Sequence, residues 1–272
     1  MIVLPKTWIE HCQNKNSFDQ LFSIDGKIYR EQDGRKTLRF KLNGKNYFAK
    51  LHYGVGWKEI LKNFLQFRLP VISAQNEWRA IQRLEQLGIK TMRLVGYGKK
   101  GWNPAHLRSF VITEELTNTI SLEDFCRDWP TSPPSYSLKR ALITEVAKIA
   151  RKIHEHGINH KDFYICHFLL NILAGRKRIN PSQLKIYLID LHRMQIHHRM
   201  PRRWRVKDIG SLYFSSMDIG LTKRDLLRFI RIYSNKPLQV FISKDRTFWK
   251  QVKKRGIAIY RKDFQKDPTI IL

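Results

Sequence analysis

The stretch INHKDFYICHFLL, residues 158–170, decides the fold. It follows the clearest helix pattern of the chain, residues 138–156, in which apolar side chains recur at helical spacing. The stretch places the triplet His160-Lys161-Asp162 in a polar loop, directly before a strand-like apolar segment. A second carboxylate, Asp190, ends another short strand-like segment at residues 184–190. The sequence therefore predicts a helix, a loop with one carboxylate, and a strand that ends at a second carboxylate.

This order of elements is found in kinase catalytic cores, and the chemistry of phosphoryl transfer explains it. The reaction needs one carboxylate that receives the proton of the acceptor hydroxyl and another that holds Mg²⁺ against the phosphates. Asp162 suits the first role and Asp190 suits the second. Kinases also need a lysine on the third N-terminal strand and a glutamate on a following helix that pairs with it. Lys50 and Glu77 stand at these places, and four residues in kinase order favour a kinase.

The elements around these residues divide into two regions. Asp33-Gly34 and Asn43-Gly44 separate three strand-like runs, which predicts an antiparallel meander at residues 27–51. The next elements are two helices and two strands, at residues 57–69, 74–87, 91–97 and 109–113. We therefore expect an α+β, bilobal protein-kinase-like fold. Its N-terminal nucleotide-binding lobe (residues 1–116) would contain an antiparallel sheet with helices, and its C-terminal catalytic and substrate lobe (residues 117–272) would be mainly helical.

Composition excludes several classes of protein. With 42% hydrophobic residues the chain of 272 residues can bury a core, which argues against intrinsic disorder. No apolar run approaches the ~18 residues of a membrane-spanning helix, and the N-terminus lacks the pattern of a signal peptide. Three cysteines without a Cys-x-x-Cys pair argue against a disulfide framework and a cysteine-rich zinc site. We therefore expect a cytosolic protein.

The net charge of +28 requires an anionic partner. Nucleic acid, an anionic membrane surface, a phosphorylated substrate and an acidic protein would all satisfy it. Residues 191–207 contain no acid, and they form either an exposed loop or a surface for a polyanionic acceptor. The candidate acceptor-binding residues are Arg193, Arg199, Arg202, Arg203 and Arg205. The helix at residues 57–69 either lies in an anionic membrane interface or packs on the N-terminal lobe.

The block HKDFYICHFLL, residues 160–170, closely resembles the signature of the lipopolysaccharide core heptose(I) kinases. The resemblance runs along nearly the whole chain and includes LHYGVGWKEI (51–60), ITEEL (112–116), LIDLHR (188–193) and KRDLLRF (223–229). This family is similar in fold to protein kinases and phosphorylates a heptose of the lipopolysaccharide inner core. The resemblance therefore implies ATP and Mg²⁺ as cofactors and the lipopolysaccharide core as the acceptor.

The resemblance also implies a role for each matching residue. Asp162 would be the catalytic carboxylate and Asp190 a metal ligand, while Lys50 and Glu77 would form the pair that binds the phosphates of ATP. The hinge that meets adenine through backbone groups would consist of Glu114, Glu115 and Leu116.

Two positions depart from the general kinase pattern. His167 stands where kinases carry a second metal ligand, and because Mg²⁺ prefers oxygen, a contact with phosphate or with Asp190 is the alternative. The loop that covers the phosphates is expected near residues 30–36, where Gly34 is the only glycine. We therefore expect side chains to help in binding ATP.

The expected function is ATP-dependent phosphorylation of a core heptose at the cytoplasmic face of the inner membrane, with peripheral association to that membrane. The resemblance adds acyl carrier protein as an acidic partner. The alternatives are a kinase for another sugar or for protein tyrosine, an inactive kinase-like scaffold, and a basic nucleic-acid-binding protein. The last leaves the order of the carboxylates unexplained and shows no recognised motif, so we expect no nucleic-acid partner.

Overall fold

The structure, a computed structural model, describes residues 1–5, 8, 17–32, 34–65, 72–172, 179–237 and 245–268. The chain divides into two compact units. The first contains Met1–Glu85, Met92–Leu116 and Leu191–Arg193, and the second contains Gln86–Thr91, Thr117–Asp190 and Met194–Leu272. The predicted α+β class, with an antiparallel sheet in the first part of the chain and mainly helices in the second, is confirmed.

A six-stranded antiparallel sheet forms the frame of the first unit, in the order β1-β5-β6-β4-β3-β2. Its strands are β1 (Ile2–Val3), β2 (Lys27–Gln32), β3 (Arg35–Leu42), β4 (Lys45–His52), β5 (Leu94–Lys100) and β6 (Arg108–Glu114). The predicted meander corresponds to β2, β3 and β4. Sequence analysis misses β1 because two residues are too few to show a periodic pattern. Lys50 consequently lies on the fourth strand of the chain.

Apolar side chains hold this sheet together on one face. The short helix α1 (Ser17–Leu21) packs there, and the Trp8 ring lies edge-on to the rings of Phe40 and Tyr47, at centroid distances of 5.8 and 4.8 Å. Burial of each large apolar side chain contributes about 1.5–3 kcal/mol. This cluster therefore fixes β3 and β4, and with them the position of Lys50.

Two further helices of the chain follow β4. They are α2 (Gly56–Leu65) and α3 (Gln75–Gln86). The predicted helix at residues 57–69 is confirmed as far as Leu65, and its remainder lies outside the described residues. α3 buries Trp78, Ile81 and Leu84 on one face, as its periodicity predicts. The packing of that face brings the first turn of α3 to the sheet.

The second unit is built around a long helix. α5 (Tyr136–Glu155) buries Leu142, Val146 and Ile153 on one side, and Ser135 caps its N-terminus by accepting the N–H of Leu138. The other helices are α4 (Leu122–Phe125), α6 (Arg202–Ser215), α7 (Lys223–Ser234) and α8 (Arg246–Phe264). Among the described residues, no helix combines the length and the apolar character needed to cross a bilayer.

Short strands connect these helices and carry the candidate catalytic loop. They are β7 (Thr119–Ser121), β8 (Ile158–Asn159), β9 (Phe168–Asn171), β10 (Ile186–Leu188) and β11 (Gln195–Ile196). β9 pairs antiparallel with both β10 and β7, and β8 pairs with β11. The strand predicted at residues 184–190 is therefore shorter than expected, and Asp190 follows it by two residues.

Candidate active site

His160 holds the loop that carries Asp162. Its side chain is fully buried, and its Nε2 donates a hydrogen bond to the carbonyl oxygen of Ile189 at 2.9 Å. Because a carbonyl group only accepts, the proton of the neutral ring lies on Nε2. Burial lowers the pKa of His160, which keeps the ring neutral. His160 therefore connects the loop of Asp162 to the residue that precedes Asp190.

A buried carboxylate, Asp208 of α6, binds the backbone of the same loop. It accepts hydrogen bonds from the N–H groups of His160 at 2.7 Å and Lys161 at 3.0 Å, and it lies 3.2 Å from Nε2 of His154. A carboxylate without solvent contact is stabilised only by such donors, so removing them is costly. Sequence analysis misses this residue. The available signal was a single acid between the basic segment 191–207 and the apolar run that follows it.

His167 contacts both candidate catalytic residues. Its Nδ1 donates to the backbone carbonyl of Asp162 at 2.6 Å, and its Nε2 lies 3.5 Å from Oδ2 of Asp190. With its proton on Nδ1, the neutral ring directs the lone pair of Nε2 toward a carboxylate oxygen. His167 therefore connects the backbone of Asp162 to the carboxylate of Asp190. The contact with Asp190, named above as the alternative to metal binding, occurs in the structure.

In the first unit, Lys50 and Glu77 form an ion pair. The Nζ atom of Lys50 lies 2.6 Å from Oε1 of Glu77, and only 2% of the Glu77 side chain is exposed. Glu77 lies in the first turn of α3, where the helix dipole favours a negative charge. A buried carboxylate of this kind holds its partner firmly, because losing the partner would leave an uncompensated charge. The ammonium group of Lys50 is therefore fixed in one place.

Further positive charge surrounds Lys50 in the same unit. Burial, followed by the charges of Arg35 and Lys50, lowers the pKa of His52 to about 3. Arg35 faces His52 across β3 and β4, and its Nε atom is buried without a hydrogen-bond partner. The imidazole of His52 is therefore neutral, whereas Arg35 and Lys50 present two cations on one face of the sheet.

The glycine of the predicted phosphate loop has a packing role. Gly34 adopts a φ of 69°, and a Cβ atom at this position would lie 2.2 Å from the carbonyl oxygen of Gly54. Its own carbonyl accepts the N–H of Tyr53 at 2.8 Å. Any residue larger than glycine would separate these two segments. The single glycine between residues 30 and 36 thus serves the contact between backbones.

The predicted hinge residues make contacts within the first unit. Glu115 forms two hydrogen bonds with Arg39, at 2.7 and 2.8 Å, and this pairing lowers the pKa of its carboxyl group. The N–H groups of Glu114 and Glu115 donate to the carbonyls of Arg93 and Asn46. An adenine ring would therefore have to use other backbone groups of the segment that ends at Leu116.

Four of the five candidate arginines are exposed, and the fifth packs on an aromatic ring. Arg193, in the first unit, and Arg199, Arg202 and Arg203, in the second, are exposed. The Arg205 guanidinium lies 5.5 Å from the centroid of the Phe248 ring, and its Nε is buried without a hydrogen-bond partner. Arg202 and Arg203 begin α6, where a positive charge is unfavourable for the helix dipole. Helix stability therefore does not account for their position.

The chain is similar to known proteins along most of its length. The model of the lipopolysaccharide kinase (Kdo/WaaP) family matches residues 19–233. Two relatives named lipopolysaccharide core heptose(I) kinase WaaP are 51% identical (Escherichia coli K12; 89% of this chain and 91% of the relative) and 42% identical (Pseudomonas aeruginosa; 96% of each). A solved structure titled "WaaP in complex with acyl carrier protein" has a TM-score of 0.82 at 38% identity, covering 96% of this chain and 99% of that one. The chain therefore belongs to the lipopolysaccharide kinase (Kdo/WaaP) family.

Proposed function

We propose that this kinase transfers the γ-phosphoryl group of ATP to a hydroxyl of a heptose in the lipopolysaccharide core. The observation that carries the proposal is an arrangement within the second unit. His167 contacts both Asp162 and Asp190, and Asp208 binds the backbone of the loop that precedes Asp162. It supplies a proton acceptor and a cation ligand, the two carboxylate functions that phosphoryl transfer needs. The names of the relatives supply the acceptor.

Asp162 would orient the heptose hydroxyl and accept its proton. Lys50, fixed by Glu77, would bind phosphate oxygens of ATP. Arg35 would bind them as well, in place of the backbone N–H groups that a glycine-rich loop supplies. The hinge around Leu116 would bind adenine.

Asp190 would hold Mg²⁺ through its carboxylate, the type of ligand that this ion prefers, and His167, whose Nε2 lies 3.5 Å from Oδ2 of Asp190, would orient that carboxylate or contact phosphate. Within the described residues no group of three or more His, Cys, Asp or Glu side chains could hold a metal. Phosphate oxygens and water would complete the coordination, as is usual for Mg²⁺. When bound, the ion supplies neutralisation of the developing phosphate charge.

Incubation of the purified chain with ATP, Mg²⁺ and core oligosaccharide lacking phosphate on heptose tests this function. We expect mass spectrometry to find one added phosphate and fragmentation to place it on a heptose. Parallel reactions with another core sugar and with a tyrosine peptide test the alternative acceptors. Phosphate on either of these, with none on heptose, would contradict the proposal.

We further propose that the protein works in the cytoplasm as a peripheral protein of the inner membrane, bound through α2. Trp57, Leu61, Phe64 and Leu65 occupy one face of this helix and are 53, 60, 61 and 82% exposed, while Ile60 anchors the helix in the core. The two interpretations of this helix apply to different residues: Ile60 packs on the N-terminal lobe, and the four exposed side chains are available to a membrane interface. Lys58 and Lys62 are exposed on the same helix and suit anionic headgroups.

Vesicle flotation tests this attachment. Replacing Trp57 and Phe64 together by Ser should lower binding to anionic vesicles at least about tenfold, because two large apolar side chains lose their burial. Replacing Lys58 and Lys62 by Gln should weaken binding to anionic vesicles alone, by about 1 kcal/mol for each charge. Trp102→Ser is the matched control, because Trp102 lies outside α2 and is 91% exposed. Unchanged binding in both double variants would exclude α2 as the attachment site.

We also propose acyl carrier protein as a partner. The solved structure of the relative is a complex with acyl carrier protein, and a chain of net charge +28 suits an acidic protein. Co-expression of the two proteins should yield a complex that survives size exclusion at low salt and weakens as salt rises. Separate elution at low salt would contradict the partnership.

A further inference from the structure

Three cations converge on one tryptophan beside the candidate catalytic loop. Lys207 Nζ, Arg203 Cζ and Lys161 Nζ lie 4.4, 5.3 and 5.4 Å from the centroid of the Trp204 ring. All three distances are within the ~6 Å at which a cation is attracted to an aromatic face. Lys161 belongs to the loop of Asp162, whereas the other three residues belong to the first two turns of α6. We call these four residues the Trp204 cluster.

The backbone at Lys161 is fixed in an uncommon conformation. Its φ of 72° lies in the left-handed region, which is unfavourable for a residue other than glycine. Its N–H donates to Oδ1 of Asp208 at 3.0 Å. The surrounding structure therefore maintains this conformation, and the same residue places its ammonium group at Trp204 and its carbonyl next to Asp162.

The helix separates the basic residues of its first turns into two groups. Arg203 and Lys207 are four positions apart and share one face with Trp204 between them, as side chains at this spacing do. Arg205 instead lies over Phe248. The basic segment therefore contributes Arg203 and Lys207 to a compact group of cations, and Lys161 of the catalytic loop is its third member.

Three positive charges around one ring create a region of positive potential. The positive potential extends to His197, whose pKa is lowered by burial and further by the charges of Lys161 and Arg203. This potential would attract an anion.

We propose that Lys161, Arg203 and Lys207, held together by Trp204, form a subsite for an anionic group, a carboxylate or a phosphate, carried by the acceptor saccharide. The inference rests on the proposed function. Because Lys161 directly precedes Asp162, an anion bound here would fix the saccharide near the carboxylate that receives its proton. Trp204 acts through the cations and is a positioning residue.

Calorimetry of acceptor binding without ATP tests the subsite. Trp204→Leu and Lys207→Gln should each weaken binding of core oligosaccharide about tenfold or more, the loss expected for one charge-assisted contact. Trp204→Phe keeps an aromatic face and should retain most of the affinity. Trp102→Leu and Lys250→Gln, at exposed positions elsewhere, are the matched controls and should bind as the unmodified protein does.

Chemically altered acceptors identify the anion. Oligosaccharide with methyl-esterified carboxylates and oligosaccharide without phosphates are compared with the unaltered form. The alteration that removes the recognised group should weaken binding of the oligosaccharide to the unmodified protein. On this altered oligosaccharide, the unmodified protein and Lys207→Gln should have the same affinity. A variant effect that persists in full on an acceptor lacking both groups would overturn the inference.

Two further results separate the subsite from the catalytic proposal. Equal affinity of Trp204→Leu, Lys207→Gln and the unmodified protein for the unaltered oligosaccharide would overturn the subsite. Binding with the expected pattern, but without phosphorylation of heptose, would support the subsite and contradict the proposed function instead. Unchanged ATP binding by Trp204→Leu verifies that the variant is folded.

Discussion

Asp162→Asn should lower kcat about 10²–10⁴-fold, the range typical of a general base, while ATP binding stays unchanged. The amide has nearly the same shape as the carboxylate but does not accept the proton of the acceptor hydroxyl. The substitution leaves the backbone carbonyl that accepts from His167 and Tyr164, so the loop keeps its hydrogen bonds. Initial rates with heptose-bearing oligosaccharide, together with calorimetry of ATP, measure the two quantities.

Asp128→Asn is the matched control, since Asp128 is exposed in the second unit and belongs to no part of the site. It should change neither kcat nor ATP affinity. A loss of less than about tenfold in kcat for Asp162→Asn would assign the proton acceptor to another group, because a general base contributes more than that.

The chemistry-bearing residues of this chain were recognisable in the sequence because each belongs to an element with a strong local signal. Lys50 follows two turn dipeptides that define a meander, and Asp162 follows a helix with a regular apolar stripe. Glu77 lies in the first turn of α3, and the apolar periodicity of this helix predicts that its position faces the protein interior. Such signals depend on spacing within about twenty residues, which one sequence shows directly.

The residues that hold these side chains in place do so through contacts between distant parts of the chain, which no local sequence pattern encodes. Asp208 binds backbone groups 47 and 48 positions earlier in the chain. His167 connects the backbone carbonyl of Asp162 to the carboxylate of Asp190 through the orientation of its ring, and the pairing of β1 with β5 joins segments far apart in sequence. The basic segment shows the same limit. The charge of this segment is evident from the sequence. That Lys207 lies at Trp204 while Arg205 lies at Phe248 follows from helix geometry.

Asp190→Asn should abolish the Mg²⁺ dependence of ATP binding and should also lower kcat. The unmodified protein should bind ATP more tightly with Mg²⁺ than without it, by about tenfold or more, because the carboxylate makes a charge-assisted contact. In the variant the two affinities should coincide, and kcat should fall about 10²–10³-fold, as for other groups that stabilise transition-state charge. Calorimetry with and without Mg²⁺ measures the affinities.

Asparagine is the appropriate substitution because Asp190 adopts a φ of 62°. Asn tolerates the left-handed region better than most residues, so the backbone after β10 should be retained. A loss of Mg²⁺ dependence would therefore report on the carboxylate charge facing His167 and not on a displaced loop. If Asp162→Asn loses metal-dependent binding while Asp190→Asn keeps it, the proton acceptor and the metal ligand are the reverse of our assignment. The two variants, measured side by side, thus decide which carboxylate serves which half of the reaction.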